Sequence, residues 1–303
     1  MRDVIIAMIP AMIVGIYNFG ARAAMLILVS VVSCVVFEAL YQKLVKKEVR
    51  VGDLSAVVTG ILLAFNLSVA ATWWMAVIGS FFAIVVVKQL FGGIGKNFVN
   101  PALAGRAFLV SWVSIMTQFV KPGFSPSVFG NFDVETSATP LFYLKDVAKN
   151  GMPDVSIMDM FLGNIGGCIG EVSALMLILG GIYLIMRKVI TPTIPLCYIG
   201  TVAVFASIFP RTGNSVESLL MEVLSGGLLL GAIFMATDYA TSPVTPKGQV
   251  IFGIGCGLLT IFIRYFGGYP EGVSYSILLM NLFVWLIDKY TSPKKFGKVA
   301  KNI

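Results

Sequence analysis

The stretch Val4-Ile5-Ile6-Ala7-Met8-Ile9-Pro10-Ala11-Met12-Ile13-Val14-Gly15-Ile16-Tyr17-Asn18-Phe19 carries no charge, and beyond Gly20-Ala21-Arg22 a second apolar run continues to residue 42. Crossing the hydrocarbon core of a bilayer takes about 20 predominantly apolar residues, so this opening reads as two membrane helices in close succession. Met1-Arg2-Asp3 ahead of it imitates a signal peptide, but no small-residue cleavage pattern follows and the apolar run is too long. It reads as a retained first span. Working outward, apolar runs recur near 54–70, 72–90, 101–117, 161–186, 193–209, 215–236, 249–265 and 274–290. Composition agrees: 57% of residues are hydrophobic and 12% charged, against about 25% charged in ordinary soluble domains. The chain therefore reads as an all-α polytopic membrane protein with about ten transmembrane helices.

Basic residues are unevenly placed about this scheme. Sixteen of the 22 Lys and Arg fall on one side, among them Arg2, Lys43, Lys46, Lys47, Arg50, Lys88, Arg106 and the lysines at the carboxyl end. The other six are Arg22, Lys121, Lys145, Lys149, Arg211 and Arg264. Positive charge stays in the cytoplasm, which places both termini inside and turns the 118–155 connection outward. The net charge of +7 is thus topogenic and does not point to nucleic acid. The 118–155 connection is the one long polar segment, and loops of such length are usually functional or disordered. The expected organisation is a five-helix half over 1–117, the loop 118–155, a second five-helix half over 156–290 and a basic cytoplasmic tail over 291–303.

A repeat is faintly visible. Thr59-Gly60-Ile61-Leu62-Leu63 is echoed by Ser225-Gly226-Gly227-Leu228-Leu229, and Leu90-Phe91-Gly92-Gly93 by Tyr265-Phe266-Gly267-Gly268. Five spans per half would make the second copy enter the membrane from the opposite side, an inverted repeat of the kind that places sites near the midplane. Glycine pairs also serve plain helix packing, which leaves both readings open.

The composition excludes several chemistries. Without histidine, His-ligated haem, His-containing zinc sites and Ser-His-Asp triads cannot be built from this chain. Cys34, Cys168, Cys197 and Cys256 stand in separate apolar stretches with no C-x-x-C spacing, so they read as buried thiols and supply no metal site.

Three segments carry candidate chemistry. In Gly95-Lys96-Asn97-Phe98-Val99-Asn100-Pro101-Ala102, an Asn followed by Pro starts a helix well; the same helix start could face a phosphate, a carboxylate or electron-rich flavin atoms. In Phe234-Met235-Ala236-Thr237-Asp238-Tyr239-Ala240-Thr241-Ser242-Pro243-Val244-Thr245-Pro246-Lys247-Gly248, Thr237 and Asp238 open a hydroxyl-rich strip. That strip is either a polar turn or a source of oxygen ligands for a cation or cofactor. Glu38 and Glu171 are further carboxylates in apolar runs; Glu38 lies close enough to its span's end to reach the headgroups. The third segment, Asp133-Val134-Glu135-Thr136-Ser137-Ala138-Thr139-Pro140-Leu141, is in the long loop.

Asp133, Thr136, Ser137, Ala138 and Thr139 match a D-x-x-[ST]-[GS]-A-T pattern, and with the other two segments they resemble, in order and over essentially the whole chain, the hallmarks of one family. It is the family of the D subunit of the Rnf ferredoxin:NAD oxidoreductase, whose paralogue is the B subunit of the sodium-pumping NADH:quinone reductase. The length favours the Rnf branch, and the resemblance implies that this numbering begins at an internal Met. It implies a urea/ammonium-channel-like fold in the bacterial inner membrane. It also implies FMN esterified through its phosphate to Thr139 by a flavin transferase that reads Asp133, Thr136, Ser137 and Ala138. A second, non-covalent flavin, commonly riboflavin, or an ion site is implied within the membrane, with Asn97, Asn100, Thr237 and Asp238 as candidates. The implied partners are the flavin-bearing G subunit and the iron–sulfur and membrane subunits A, B, C and E, with electron transfer coupled to Na⁺ or H⁺ movement. Two rival readings remain, a solute channel of the same fold and a structural scaffold, and neither requires the loop motif.

Overall fold

The computed structural model describes residues 1–123, 138–145, 147, 151 and 155–293. Among them every named element is helical, and an isolated antiparallel bridge joins Ser68 and Cys168. The two opening spans lie end to end in Arg2–Leu44, with a kink at Gly20, whose φ of 71° is one that glycine reaches without steric penalty. This helix and Pro246–Phe266 are each long and apolar enough to cross a membrane; Ser215–Leu224 and Leu228–Met235 pass together as a pair bent by 61°.

Several of the expected spans are not single helices, three of them through long breaks. The run at 54–70 is the helix Ser55–Phe65 followed by irregular backbone, and that at 161–186 is continuously helical only over Ala174–Met186. The run at 215–236 breaks at Ser225-Gly226-Gly227, where Gly226 has a φ of 66°. The reason is physical: hydropathy reports whether a stretch avoids water, while helicity depends on where its backbone groups find partners. Here they find them across the fold. The carbonyls of Phe65 and Leu67 accept from the amides of Gly170 (3.1 Å) and Ile169 (3.0 Å). Arg22 donates to the carbonyls of Val69 (2.9 Å) and Ala71 (3.2 Å). Such pairing is required because lipid offers no hydrogen bonds, so irregular backbone survives only where protein satisfies it.

Around the broken segments the remaining helices are Trp73–Gln89, Pro101–Leu109 with its short continuation to residue 116, Thr193–Ile208 and Val273–Thr291. Small residues let them close up. A methyl group at Gly60 would lie 2.7 Å from the Cα of Val31, and one at Gly253 would lie 3.0 Å from the Ile194 carbonyl oxygen.

Burial corrects the charge reading at several positions. Lys88 and Glu38 are both 2% exposed and form an ion pair of 2.8 Å, completed by Ser55 and Gln89, so Glu38 faces the protein interior and not the headgroups. Arg22, Arg106 and Arg264 are likewise held inside by protein partners and are not loop charges. Removing Lys88 and Arg106 from one side of the count, and Arg22 and Arg264 from the other, leaves the sign of the asymmetry unchanged.

Candidate functional site

Two cavities border the helical run 101–116, one at its start, at Asn100, Pro101 and Ala102, and one along its later part, at Arg106, Ala107, Val110 and Met116. The larger, of about 680 Å³, falls within the usual range for small-molecule sites, about 300–1,000 Å³. Ala138 and Thr139 form part of its wall. Thr139 precedes the short helix Pro140–Lys145, accepts from the amide of Phe142 (2.9 Å), and is 8% exposed. The other walls are aromatic and cationic: Phe119, Phe142, Tyr143, Tyr269 and Tyr275 surround Arg106. Arg106 donates through Nη2 to Glu271 Oε2 at 2.6 Å and through Nη1 to the Ser274 hydroxyl, while its Nε is a buried donor with no partner. Flat aromatic walls, a fixed guanidinium and an orphaned donor suit a planar, electron-rich ring with a phosphate arm. The residues present fit FMN tethered at Thr139. Asp133, Thr136 and Ser137 lie outside the described residues.

The smaller cavity, about 250 Å³, brings together Asn97, Asn100, Thr237 and Asp238, drawn from segments more than a hundred residues apart, with Lys88 and Ser55 beside them. Asn100 realises the capping reading: its Oδ1 accepts from the amides of Ala102 (3.0 Å) and Leu103 (3.3 Å), with Pro101 as the first helical residue. Its Nδ2 also reaches across to the Met235 carbonyl (3.1 Å), and its amide donates to Asn281 Oδ1 (3.1 Å). Both of its polar ends are therefore used by the fold. Asn97 is different, since its Oδ1 is buried without a partner. Thr237 turns its hydroxyl back to the Ile233 carbonyl (2.6 Å), while Asp238 accepts from the Thr241 hydroxyl (3.2 Å). Burial raises the Asp238 carboxyl from its ordinary value, partly offset by hydrogen bonds from Thr241 and the Ala240 amide. Free for a ligand here are the Asn97 carbonyl oxygen and the remaining valence of the Asp238 carboxylate, both oxygen donors of the sort a hard cation takes.

Residues that sequence reasoning did not single out complete the larger site. Arg106 and Glu271 sit in no motif, and neither do Arg264, Arg211 and Glu222, which form a second buried ion cluster: Arg264 Nη1 to Glu222 Oε2 is 2.8 Å and Arg211 Nη1 to Glu222 Oε1 is 3.4 Å. A signal existed. Arg106, Glu222 and Arg264 are ionisable residues inside apolar runs, where burial without a partner is costly.

The geometry can be set beside known proteins. The NQR2, RnfD, RnfE family model matches residues 1–297. The D subunit of the Na(+)-translocating ferredoxin:NAD(+) oxidoreductase complex of Acetobacterium woodii is 51% identical, over all of this chain and 92% of its own length. The D subunit of the proton-translocating ferredoxin:NAD(+) oxidoreductase complex of Clostridium ljungdahlii is 44% identical over 98% of this chain and 91% of its own length. The D subunit of the ion-translocating oxidoreductase complex of Halorhodospira halophila is 36% identical, with coverage of 98% and 91%. With a match that spans almost its whole length, this chain belongs to the NQR2, RnfD, RnfE family.

Proposed function

We propose that the chain is the D subunit of an Rnf ferredoxin:NAD oxidoreductase, bearing covalent FMN on Thr139 and passing electrons between partner subunits as the assembly moves Na⁺ or H⁺. The observation that carries this reading is the placement of the Thr139 side chain in the wall of an aromatic cavity of about 680 Å³ that holds the Arg106 guanidinium. Bound there, FMN would supply the one- and two-electron redox chemistry. The protein's own part is positional. Thr139 supplies the oxygen of the phosphoester, Tyr269 and Tyr275 offer aromatic walls, and Arg106, locked by Glu271 and Ser274, keeps a positive charge facing the cavity. The flavin content of the denatured polypeptide tests this reading.

The partners are the flavin-bearing G subunit and the iron–sulfur and membrane subunits A, B, C and E, within the bacterial cytoplasmic membrane. Ten spans in two inverted five-helix repeats, as in urea and ammonium channels, are the architecture we assign. Orientation follows from the basic residues, with both termini cytoplasmic and the FMN outside. Single cysteines at Asn131 and Lys295, in a background lacking Cys34, Cys168, Cys197 and Cys256, are expected to react oppositely with an impermeant thiol reagent applied to whole cells. Only the residue-131 cysteine should label. Labelling only at position 295 inverts the arrangement.

The smaller cavity is assigned to the coupling ion or to a second, non-covalent flavin such as riboflavin. At about 250 Å³ it lies below the usual small-molecule range, so a cation with its water fits it as it stands, whereas riboflavin requires it to widen. Asp238→Asn is expected to slow ion-coupled electron transfer in the assembled complex several-fold and to leave the covalent flavin in place. Turnover and cation dependence identical to those of the parent would remove Asp238 from the site.

A further inference from the structure

Next to the larger cavity, the irregular segment that precedes Ala174 meets the break at Ser225-Gly226-Gly227. Two carboxylates converge there. Glu171, 4% exposed, accepts from the Cys168 amide through Oε1 (3.0 Å), while its Oε2 is buried with no hydrogen-bond partner. Glu271 accepts from the Gly227 amide through Oε1 (2.8 Å) and from Arg106 through Oε2 (2.6 Å). A methyl group at Gly227 would stand 3.0 Å from Glu171 Oε2 and 3.6 Å from Glu271 Oε1, so both oxygens border the space that the glycine leaves open.

Among the described residues, the cations nearby are held by other carboxylates through their terminal nitrogens, although the Nε of Arg106 and of Arg264 are each buried without a partner. Arg106 serves Glu271 and Ser274, and Arg264 and Arg211 serve Glu222. The helix Ser55–Phe65, which packs on the same segment, carries no charged side chain. Among the described residues, the groups facing Glu171 are Glu271 and Arg106, with Cys168 on its own segment and the Arg264–Glu222–Arg211 cluster beyond Gly226. An ionised oxygen at Oε2 would be a buried charge without a hydrogen-bond donor beside a second carboxylate, and two carboxylates sharing a site do not both ionise readily.

We propose that Glu171 and Glu271 form a proton-binding pair, with the proton on Glu171 Oε2 directed past Gly227 toward Glu271 Oε1. A proton neutralises the unpartnered Glu171 Oε2 and needs no coordination shell. A metal cation needs several oxygen ligands, and here it would meet the Arg106 guanidinium bonded to one of the two carboxylates on offer. The pair adjoins the Thr139 cavity through Glu271 and Arg106, which line it. The inference rests on neither the cofactor nor the partner subunits, so it can fail or stand independently of the flavin reading.

Infrared spectra of the purified full-length chain, taken across a pH series in H₂O and D₂O, test it. The parent is expected to show the carbonyl-stretch band of a protonated buried carboxyl group, shifted in D₂O. Glu171→Gln should lose that band, and Glu271→Gln and Gly227→Ala should shift it by changing the acceptor or the spacing. Should Glu171→Gln not fold, Glu171→Asp must move the band; a band left unmoved overturns the proposal. It is also overturned if the folded parent shows no such band at any pH, or if the band persists unchanged in Glu171→Gln. Loss of the band at constant pH when Na⁺ replaces choline would make this a metal-cation site, and would overturn it as well.

Discussion

Thr139→Ala is expected to leave the polypeptide without any flavin that survives denaturation, a complete loss and not a partial one. The argument is one of atoms: a phosphoester needs an oxygen on the protein, and alanine has none. The substitution removes a hydroxyl and a methyl from a residue that caps no transmembrane helix and holds the Phe142 amide through its backbone carbonyl, which alanine keeps. Insertion and accumulation of the chain should therefore be unaffected. Electron transfer through the assembled complex should fall with the flavin. Thr136→Ala should only lower the loading, since it alters what the transferase reads and leaves the attachment atom in place. In-gel fluorescence of denatured parent and variants, normalised to the amount of polypeptide, measures all of this.

The second large effect concerns stability. Glu222 is fully buried and is the carboxylate that both Arg264, also 0% exposed, and Arg211 share. Glu222→Ala leaves the fully buried Arg264 guanidinium without its carboxylate, and breaking a buried pair in this way costs about 3–5 kcal/mol. The expected outcome is a chain that accumulates poorly and unfolds at a markedly lower temperature in detergent. Glu222→Ala combined with Arg264→Met should recover part of the loss, because replacing both members of a buried pair by apolar groups is close to neutral. A melting temperature for Glu222→Ala equal to that of the parent would show that the cluster holds nothing together.

Much of the site could be read from the residues alone, and the reasons differ from one segment to the next. Asn100 and Pro101 announce a helix start through local chemistry, and the structure caps that helix as expected. Thr139 stands in a short contiguous motif, which needs no tertiary information. Asn97, Asn100, Thr237 and Asp238 are candidates on two separate segments, and the fold brings them to one cavity. What stayed hidden depends on pairing at long range. Arg106 and Glu271 are 165 positions apart, and nothing in either neighbourhood names the other. The helix breaks after Phe65 and before Ala174 escaped for a related reason: each is tolerated because the other's backbone satisfies it, while both stretches remain as apolar as a continuous span. Hydropathy is blind to that exchange. The ion pairs inside the bundle show the same blindness, since Lys88 beside a span's end looks like a surface charge until Glu38 is seen 2.8 Å away.

The most direct measurement is the mass of the peptide that contains Thr139, isolated from cells possessing the flavin transferase. The account predicts an added mass of FMN less one water, with fragmentation that places it on Thr139 and on none of Ser137, Thr136 or Tyr143. An unmodified peptide, or a flavin carried on a different residue, would contradict it and leave a solute channel of the same fold as the better reading of this chain.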